Sequence, residues 1–325
     1  MEGTTRRIVR IGIDGLCLLT ICVPTIVFKY GSIQPYRRGF YCNDESLNKP
    51  YKASTVGWND TLITCVVLVT LMILLVELLQ YFTAKNRDLL PGYPIGSVFF
   101  NDFFVKVYKY IGIYFFGLAF CMSFTDIGKF TIGRLRPHFL TVCLPNQTGW
   151  DTVLNCTGPI PGTWRYIEDD VCTGDPATVW EARQSFPSGH SAITWFAMLY
   201  CAIYLQVRMT WKFSVLLRHL LQACLLWMAF FTSLSRVSDY KHHPTDVLAG
   251  AALGILGTIF TIHWVPDLFG LPVRQDDEYV TTNKNGNRKI SAIVHVPAKK
   301  LSRVSRDGFS MHVGEAEPKT ELDDV

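Results

Sequence analysis

Three polar clusters interrupt a strongly apolar chain, and their residue types suit phosphate-ester chemistry. The first reads Lys129-Phe-Thr-Ile-Gly-Arg134-Leu-Arg136-Pro137. The second is Ser185-Phe-Pro187-Ser188-Gly189-His190-Ser191. The third is Ser235-Arg236-Val-Ser-Asp-Tyr-Lys241-His242-His243-Pro244-Thr245-Asp246. Lys129, Arg136 and Arg236 supply cations, His242 a nucleophile, His190 an acid and Asp246 a carboxylate. Such a set fits a phosphate monoester, whose charge must be held and whose transition state spreads charge over the equatorial oxygens. Asp246 could bond one ring nitrogen of His242 and leave the other free to attack phosphorus. His190 would protonate the leaving alkoxide and then activate water.

These clusters need elements that bring them together, and the apolar background supplies them. Hydrophobic residues make up 49% of the 325 residues and charged residues 18%, with a mean hydropathy of +0.20. A soluble domain carries nearer 25% charge. The composition excludes a collagen, a coiled coil and a small disulfide-framed secreted domain, and a net charge of +4 gives no reason to expect nucleic acid. Six apolar runs are long enough to span a bilayer: Ile11–Phe28, Thr61–Thr83, Tyr108–Gly128, Ser188–Val207, Phe213–Leu234 and Thr245–Val265. The fold class expected is an all-α polytopic membrane protein with six transmembrane helices. The first run lacks a small-residue cleavage site and reads as a span rather than a signal peptide. The segment Ser97–Lys106 reads either as an interfacial stretch or as an extension of the third run.

Parity places the ends of runs three and five and the starts of runs four and six on one face of the membrane. The clusters can therefore meet at one boundary. Runs four and six point their N-termini at that boundary, where free N–H groups and the helix dipole attract anions. Ser188 fits an N-cap, Gly189 allows close backbone approach to a phosphate, and Pro244 fits the first position of the last helix. Other readings of the same residues stand beside this one. Lys129 and Arg136 also fit snorkelling cations at a span end. Ser188-Gly189-His190 fits an ordinary cap, and His242, His243 and Asp246 could bind metal. Asp126 could orient Lys129 or serve as a structural partner. Asp14 and Glu77 lie in or near the membrane without an evident role.

Arg6, Arg7, Arg10, Lys85, Arg87, Arg208, Lys212 and Arg274 fall on the face opposite the clusters, which assigns that face to the cytoplasm. Arg37, Arg38, Arg236 and Lys241 lie on the other face and reduce the bias. Cys42, Cys143, Cys156 and Cys172 all lie in loops assigned outside, which suggests disulfides of undetermined pairing. Asn146-Gln147-Thr148 and Asn155-Cys156-Thr157 are glycosylation sequons in the same loop. The expected organisation is a cytoplasmic N-terminus over 1–10, a membrane domain over 11–269 and a polar, cytoplasmic, disordered tail over 270–325. The stretch Lys284 to Arg306 holds seven basic residues and no acid. It fits contact with anionic lipid or a solvated tail.

The pattern Lys129-x6-Arg136-Pro137, Pro187-Ser188-Gly189-His190 and Ser235-Arg236-x5-His242-x3-Asp246 resembles the type 2 phosphatidic acid phosphatase superfamily. The wording of the third cluster, with Arg38-Gly-Phe-Tyr-Cys42-Asn-Asp44 and Gly133-Arg-Leu-Arg-Pro-His-Phe-Leu140, is similar to the animal lipid phosphate phosphatases (phospholipid phosphatases). The resemblance covers Arg7 to Phe269. It implies six membrane helices with both ends in the cytoplasm and the active site at the extracellular or luminal boundary. It implies hydrolysis of phosphatidate, lysophosphatidate, sphingosine 1-phosphate and ceramide 1-phosphate without metal or cofactor. By position, His242 becomes the nucleophile that forms a phosphohistidine, Asp246 its orienting partner and His190 the general acid. Lys129, Arg136, Arg236, Ser188 and Gly189 become the phosphate-binding set. Glycosylation at Asn146 and Asn155, homo-oligomers and a plasma-membrane location are further implications. An Arg-Gly-Asp sequence found in some members is absent, and the comparable place reads Cys172-Thr-Gly-Asp175. A non-catalytic lipid-phosphate scaffold is the competing reading, although a binder needs the cations and not the histidines. A transporter is disfavoured because its charges would sit near the midplane.

Overall fold

The computed structural model describes residues 2–31, 33–41, 43–83, 92–95, 98–144, 156, 164–168, 172–209, 214–264, 279–282 and 288–291. In chain order the elements are α1 (Glu2–Tyr30), β1 (Phe40–Tyr41), α2 (Trp58–Thr83), β2 (Gly92–Ile95), β3 (Val98–Asn101), α3 (Asp102–Ile132), α4 (Phe139–Cys143), β4 (Tyr166–Ile167), α5 (Pro176–Ala182), α6 (Gly189–Arg208), α7 (Val215–Ser238), α8 (Pro244–Trp264), β5 (Tyr279–Thr282) and β6 (Arg288–Ser291). Six helices, α1, α2, α3, α6, α7 and α8, are long and apolar enough to cross a membrane. The protein is an all-α polytopic membrane protein, as the apolar runs indicate.

α6 is the most buried of the six and packs against α8, α7, α2 and α3. Its residues Ile193, Phe196, Ala197, Tyr200, Cys201 and Tyr204 are buried at the centre of the bundle. Tyr114 of α3 stacks on Phe196 and leans on Tyr200, with ring centroids 5.9 and 5.3 Å apart. The phenols are satisfied by backbone carbonyls: Tyr114 donates to Cys65 and Tyr200 to Tyr110, both at 2.9 Å. A buried phenol without such an acceptor would be costly in an apolar medium. α1 is the least buried, and of the other spanning helices it packs mainly on α3.

Helix ends place the polar clusters. α3 stops at Gly133, whose φ of 58° is left-handed. A Cβ there would collide with the Tyr36 carbonyl, so only glycine fits this turn. The turn leaves Lys129 in the last helical turn and sends Arg134-Leu135-Arg136 across the bundle end. α8 begins at Pro244, where the missing N–H costs nothing. α8 also approaches α6 closely through Gly250 and Gly254. A Cβ on Gly250 would meet the Ser188 carbonyl, and one on Gly254 the Ala192 carbonyl. This is the small-xxx-small packing that lets membrane helices touch backbone to backbone.

Two details differ from expectation. β3 occupies Val98–Asn101 and α3 starts at Asp102, so the stretch before the third span is a strand followed by helix. Two short stretches within 270–325 form strands. β5 and β6 pair antiparallel, and β5 joins β2 to give the order β3-β2-β5-β6. The Tyr279-Val-Thr-Thr282 run has the β-branched composition that favours a strand. The boundary drawn at residue 269 and the sequons at Asn146 and Asn155 lie outside the described residues. Cys143 and Cys172 form a disulfide, and Cys156 is disulfide-bonded as well.

Candidate active site

Backbone hydrogen bonds stitch the three clusters together at one end of the bundle. Arg136 N donates to Ala182 O at 2.8 Å and Ser185 N to Arg134 O at 2.9 Å. Ser188 N donates to Asp246 O at 3.0 Å. A strap before α2 crosses the α7–α8 turn. Thr55 donates to both Asp239 carboxylate oxygens at 2.8 Å, through its N–H and its hydroxyl. Tyr51 places its ring 3.8 Å from the Lys241 ammonium.

His242 is buried, with its Nδ1 2.7 Å from the Ser185 carbonyl. That carbonyl can only accept, so Nδ1 carries the proton and Nε2 presents its lone pair. Burial lowers the His242 pKa well below the usual histidine value, and the Arg136 and Lys129 charges push it the same way. The ring is neutral at pH 7, as a nucleophile requires.

Asp246 does not bond the ring as the spacing suggests, since its Oδ2 lies 3.9 Å from Nδ1. Its carboxylate is held elsewhere. Oδ2 accepts from the Ser185 hydroxyl at 2.6 Å and from the His243 N–H at 3.0 Å. Oδ1 accepts from Arg134 at 2.5 Å. The carbonyl of Ser185 takes the place foreseen for Asp246, and Asp246 reaches His242 only through Ser185 and the His243 backbone.

The cations surround this histidine. Arg236 is buried, and its Nη2 bonds Asp239 at 2.9 Å and the Ser235 hydroxyl at 3.1 Å. Arg136 pairs with Glu181 at 2.8 Å. Lys129 lies 5.5 Å from the Trp58 ring centroid, and His190 meets the same ring edge to face at 5.3 Å. A Cβ on Gly189 would sit 3.4 Å from the Lys129 ammonium and 3.2 Å from Trp58, so glycine brings the α6 N-terminus close to that cation. Ser188 is the N-cap by position, yet its hydroxyl makes no cap bond. Ser188 Oγ, His190 Nε2 and Arg136 Nε are buried polar atoms without a hydrogen-bond partner. These three atoms come from two clusters at one end of the bundle and suit a polyoxygen anion, because a buried polar group left unpaired costs about 1–3 kcal/mol.

Asp126 faces Lys29 of α1 at 3.9 Å. Asp14 accepts from the Tyr108 hydroxyl at 2.9 Å, and Glu77 pairs with Arg208. Among the described residues no three His, Cys, Asp or Glu side chains are grouped to hold a metal ion. A cavity of about 250 Å³ borders Arg38, Tyr41, Arg134, Tyr166 and His243. His242 and the Lys129, Arg136 and Arg236 cations do not line it. Sequence reasoning missed Ser185, Arg134, Trp58 and Glu181 as site residues. Ser185 and Arg134 stood inside the polar clusters and could have been weighed, whereas nothing marks Trp58 or Glu181.

A helical membrane protein with buried histidines and phosphate-suited cations at one bundle end defines a class of membrane-embedded phosphatase. The PAP2 superfamily model matches residues 110–269. Mouse phospholipid phosphatase 2 is 39% identical over 264 residues, which are 81% of this chain and 88% of the relative. Rat phospholipid phosphatase 1 is 35% identical over 298 residues, 90% of this chain and 98% of the relative. Human phospholipid phosphatase 2 is 38% identical over 265 residues, 81% of this chain and 85% of the relative. No solved structure matches the chain. The chain belongs to the phospholipid phosphatase family of the PAP2 superfamily, and it is an enzyme of the phosphoric monoester hydrolase class.

Proposed function

We propose that the protein hydrolyses lipid phosphate monoesters without a metal, through a phosphohistidine on His242. Phosphatidate, lysophosphatidate, sphingosine 1-phosphate and ceramide 1-phosphate are the substrates. The observation that carries this reading is the neutral His242, its Nδ1 fixed on the Ser185 carbonyl and its Nε2 left with a lone pair, at the bundle end where Ser188 Oγ, His190 Nε2 and Arg136 Nε lack partners. Lys129, Arg136 and Arg236 hold the phosphate with Ser188 and the Gly189 backbone. Nε2 attacks phosphorus, the P–N bond forms, and the P–O bond to the lipid breaks. His190 gives its proton to the departing alkoxide. It then takes a proton from water, which attacks phosphorus and releases inorganic phosphate and His242. The lipid chains stay in the membrane, beside the bundle end that holds the site.

The site faces outside at the plasma membrane. The disulfide at the same end supports that side, since such bonds persist in oxidising compartments. The sequons at Asn146 and Asn155 agree with it, and the protein works as a homo-oligomer. The deciding experiment follows phosphate release from phosphatidate and lysophosphatidate in detergent micelles with excess chelator. Release by the wild type that survives chelation and disappears in a folded His242→Ala variant is the expected result. Wild-type-like turnover in that variant would sink the mechanism. A folded wild type inactive on all four lipids would leave a lipid-phosphate-binding scaffold.

A further inference from the structure

One cation assigned to the substrate's phosphate already holds an anion of the protein. Arg136 Nη1 lies 2.8 Å from Glu181 Oε1. The two side chains differ in freedom, Arg136 being 9% exposed and Glu181 61%. The backbone under Glu181 is fixed. Asp175 caps α5 by accepting from the Thr178 N–H at 2.8 Å. Trp180 packs edge to face on Phe130 at 5.9 Å, and Ala182 O accepts from Arg136 N. Only the Glu181 side chain has room to turn away into solvent. Arg136 above all, with Lys241 and Lys129 behind it, keeps the Glu181 carboxyl below the usual carboxylate range despite partial burial. It is therefore ionised at neutral pH. A carboxylate and a phosphate use the same guanidinium donors, so the two cannot share Arg136 Nη1 without competing.

We propose that Glu181 is a place-holding carboxylate that neutralises Arg136 between turnovers, yields it to the substrate's phosphate and returns as inorganic phosphate leaves. This rests on the phosphatase reading of the same site. It sets affinity from inside the enzyme, because a phosphate that takes Arg136 Nη1 must first displace Glu181. A fixed strut that merely aims Arg136 gives the opposite sign: its removal weakens phosphate binding.

The test compares the full chain in detergent as wild type, Glu181→Gln and Glu181→Ala. KM for lysophosphatidate and the inhibition constant for inorganic phosphate are measured for each. Both constants are expected to fall about two- to five-fold in both variants, the range that a partly exposed ion pair supports. Unchanged or raised constants would overturn the proposal. A second readout needs no turnover: the inorganic phosphate concentration giving half-maximal protection against thermal unfolding. It should fall in both variants, and an equal or higher value also overturns the proposal. If the wild type releases no phosphate from lipid yet this shift appears, the phosphatase reading fails and the place-holder stands.

Discussion

At the scale of single residues, Asp246 reaches the His242 ring only at one remove. Ser185 carries both links, its carbonyl on the ring and its hydroxyl on the Asp246 carboxylate. Ser185→Ala keeps the carbonyl and loses the hydroxyl. A hydrogen bond to a charged group is worth about 1.5–3 kcal/mol. The expected outcome is therefore a kcat lowered about ten-fold or more, with KM for lysophosphatidate little changed and Ser185→Thr restoring part of the loss. A raised KM at constant kcat would remove Ser185 from this role. Charge sets a second prediction. Burial and the Arg136 guanidinium both disfavour the His242 imidazolium. Arg136→Gln removes one of these influences, so His242 takes its proton at higher pH and the acid limb of kcat/KM moves up. Wild type and variant are compared on one substrate, so the substrate's own titration cancels. A limb that stays put or moves down contradicts the assignment. That the cations and both histidines come to one end of the bundle was legible in the sequence, because each lies in a fixed-spacing cluster beside a span. The links through Ser185 and the Arg136–Glu181 pair were not. Their roles depend on which carbonyl or guanidinium from a distant segment lies next to them, and spacing along one segment carries no such information.

At the scale of elements, the spacing of the clusters at this bundle end follows from how closely α8 approaches α6. Gly250 stands one turn beyond Asp246 and faces the Ser188 carbonyl, so this contact sets the distance between the His242 turn and the Ser188-Gly189-His190 segment. A methyl group there meets backbone, which cannot rotate aside. Gly250→Ala should push the two helix starts apart by a fraction of an ångström. Misplacement of about 1 Å can cost about 10²-fold in rate. We expect kcat to drop by about ten-fold or more, with a smaller loss of thermal stability. Gly112→Ala is the control, because nothing lies within 4 Å of its Cβ position. Equal effects in the two variants would show that helix propensity rather than the α6–α8 contact is being measured. The spans themselves were readable from hydropathy, since lipid demands a continuous apolar stretch. β1 and β4 were not readable. They are two residues each, pair Phe40 with Ile167 and Tyr41 with Tyr166, and owe their existence to tertiary contact rather than pattern.

At the scale of the whole molecule, the two ends of the bundle are built on opposite principles. The candidate-site end leaves Ser188 Oγ, His190 Nε2 and Arg136 Nε without partners, whereas the far end holds a paired polar clamp. There Glu77 of α2 takes Arg208 of α6 in two hydrogen bonds of 2.8 Å and also accepts from Tyr204 at 2.9 Å. Gln80 accepts from Arg208 at 2.6 Å and donates to its carbonyl. Glu77 is buried, so replacing it alone strands a cation in the bundle. Breaking a buried pair in this way costs about 3–5 kcal/mol, while removing both partners is often nearly neutral. Glu77→Leu is thus expected to lower the thermal midpoint in detergent sharply, and Glu77→Leu with Arg208→Leu to recover most of it. KM of the protein that remains folded should match the wild type. His190 and Arg208 are 18 residues apart on one helix, about 27 Å at 1.5 Å per residue. If the double variant were as unstable as the single one, the clamp would be holding α2 on α6 by more than paired charge. If KM rose with stability intact, the far end would be coupled to the chemistry, and the division into an anchoring end and a reacting end would not hold.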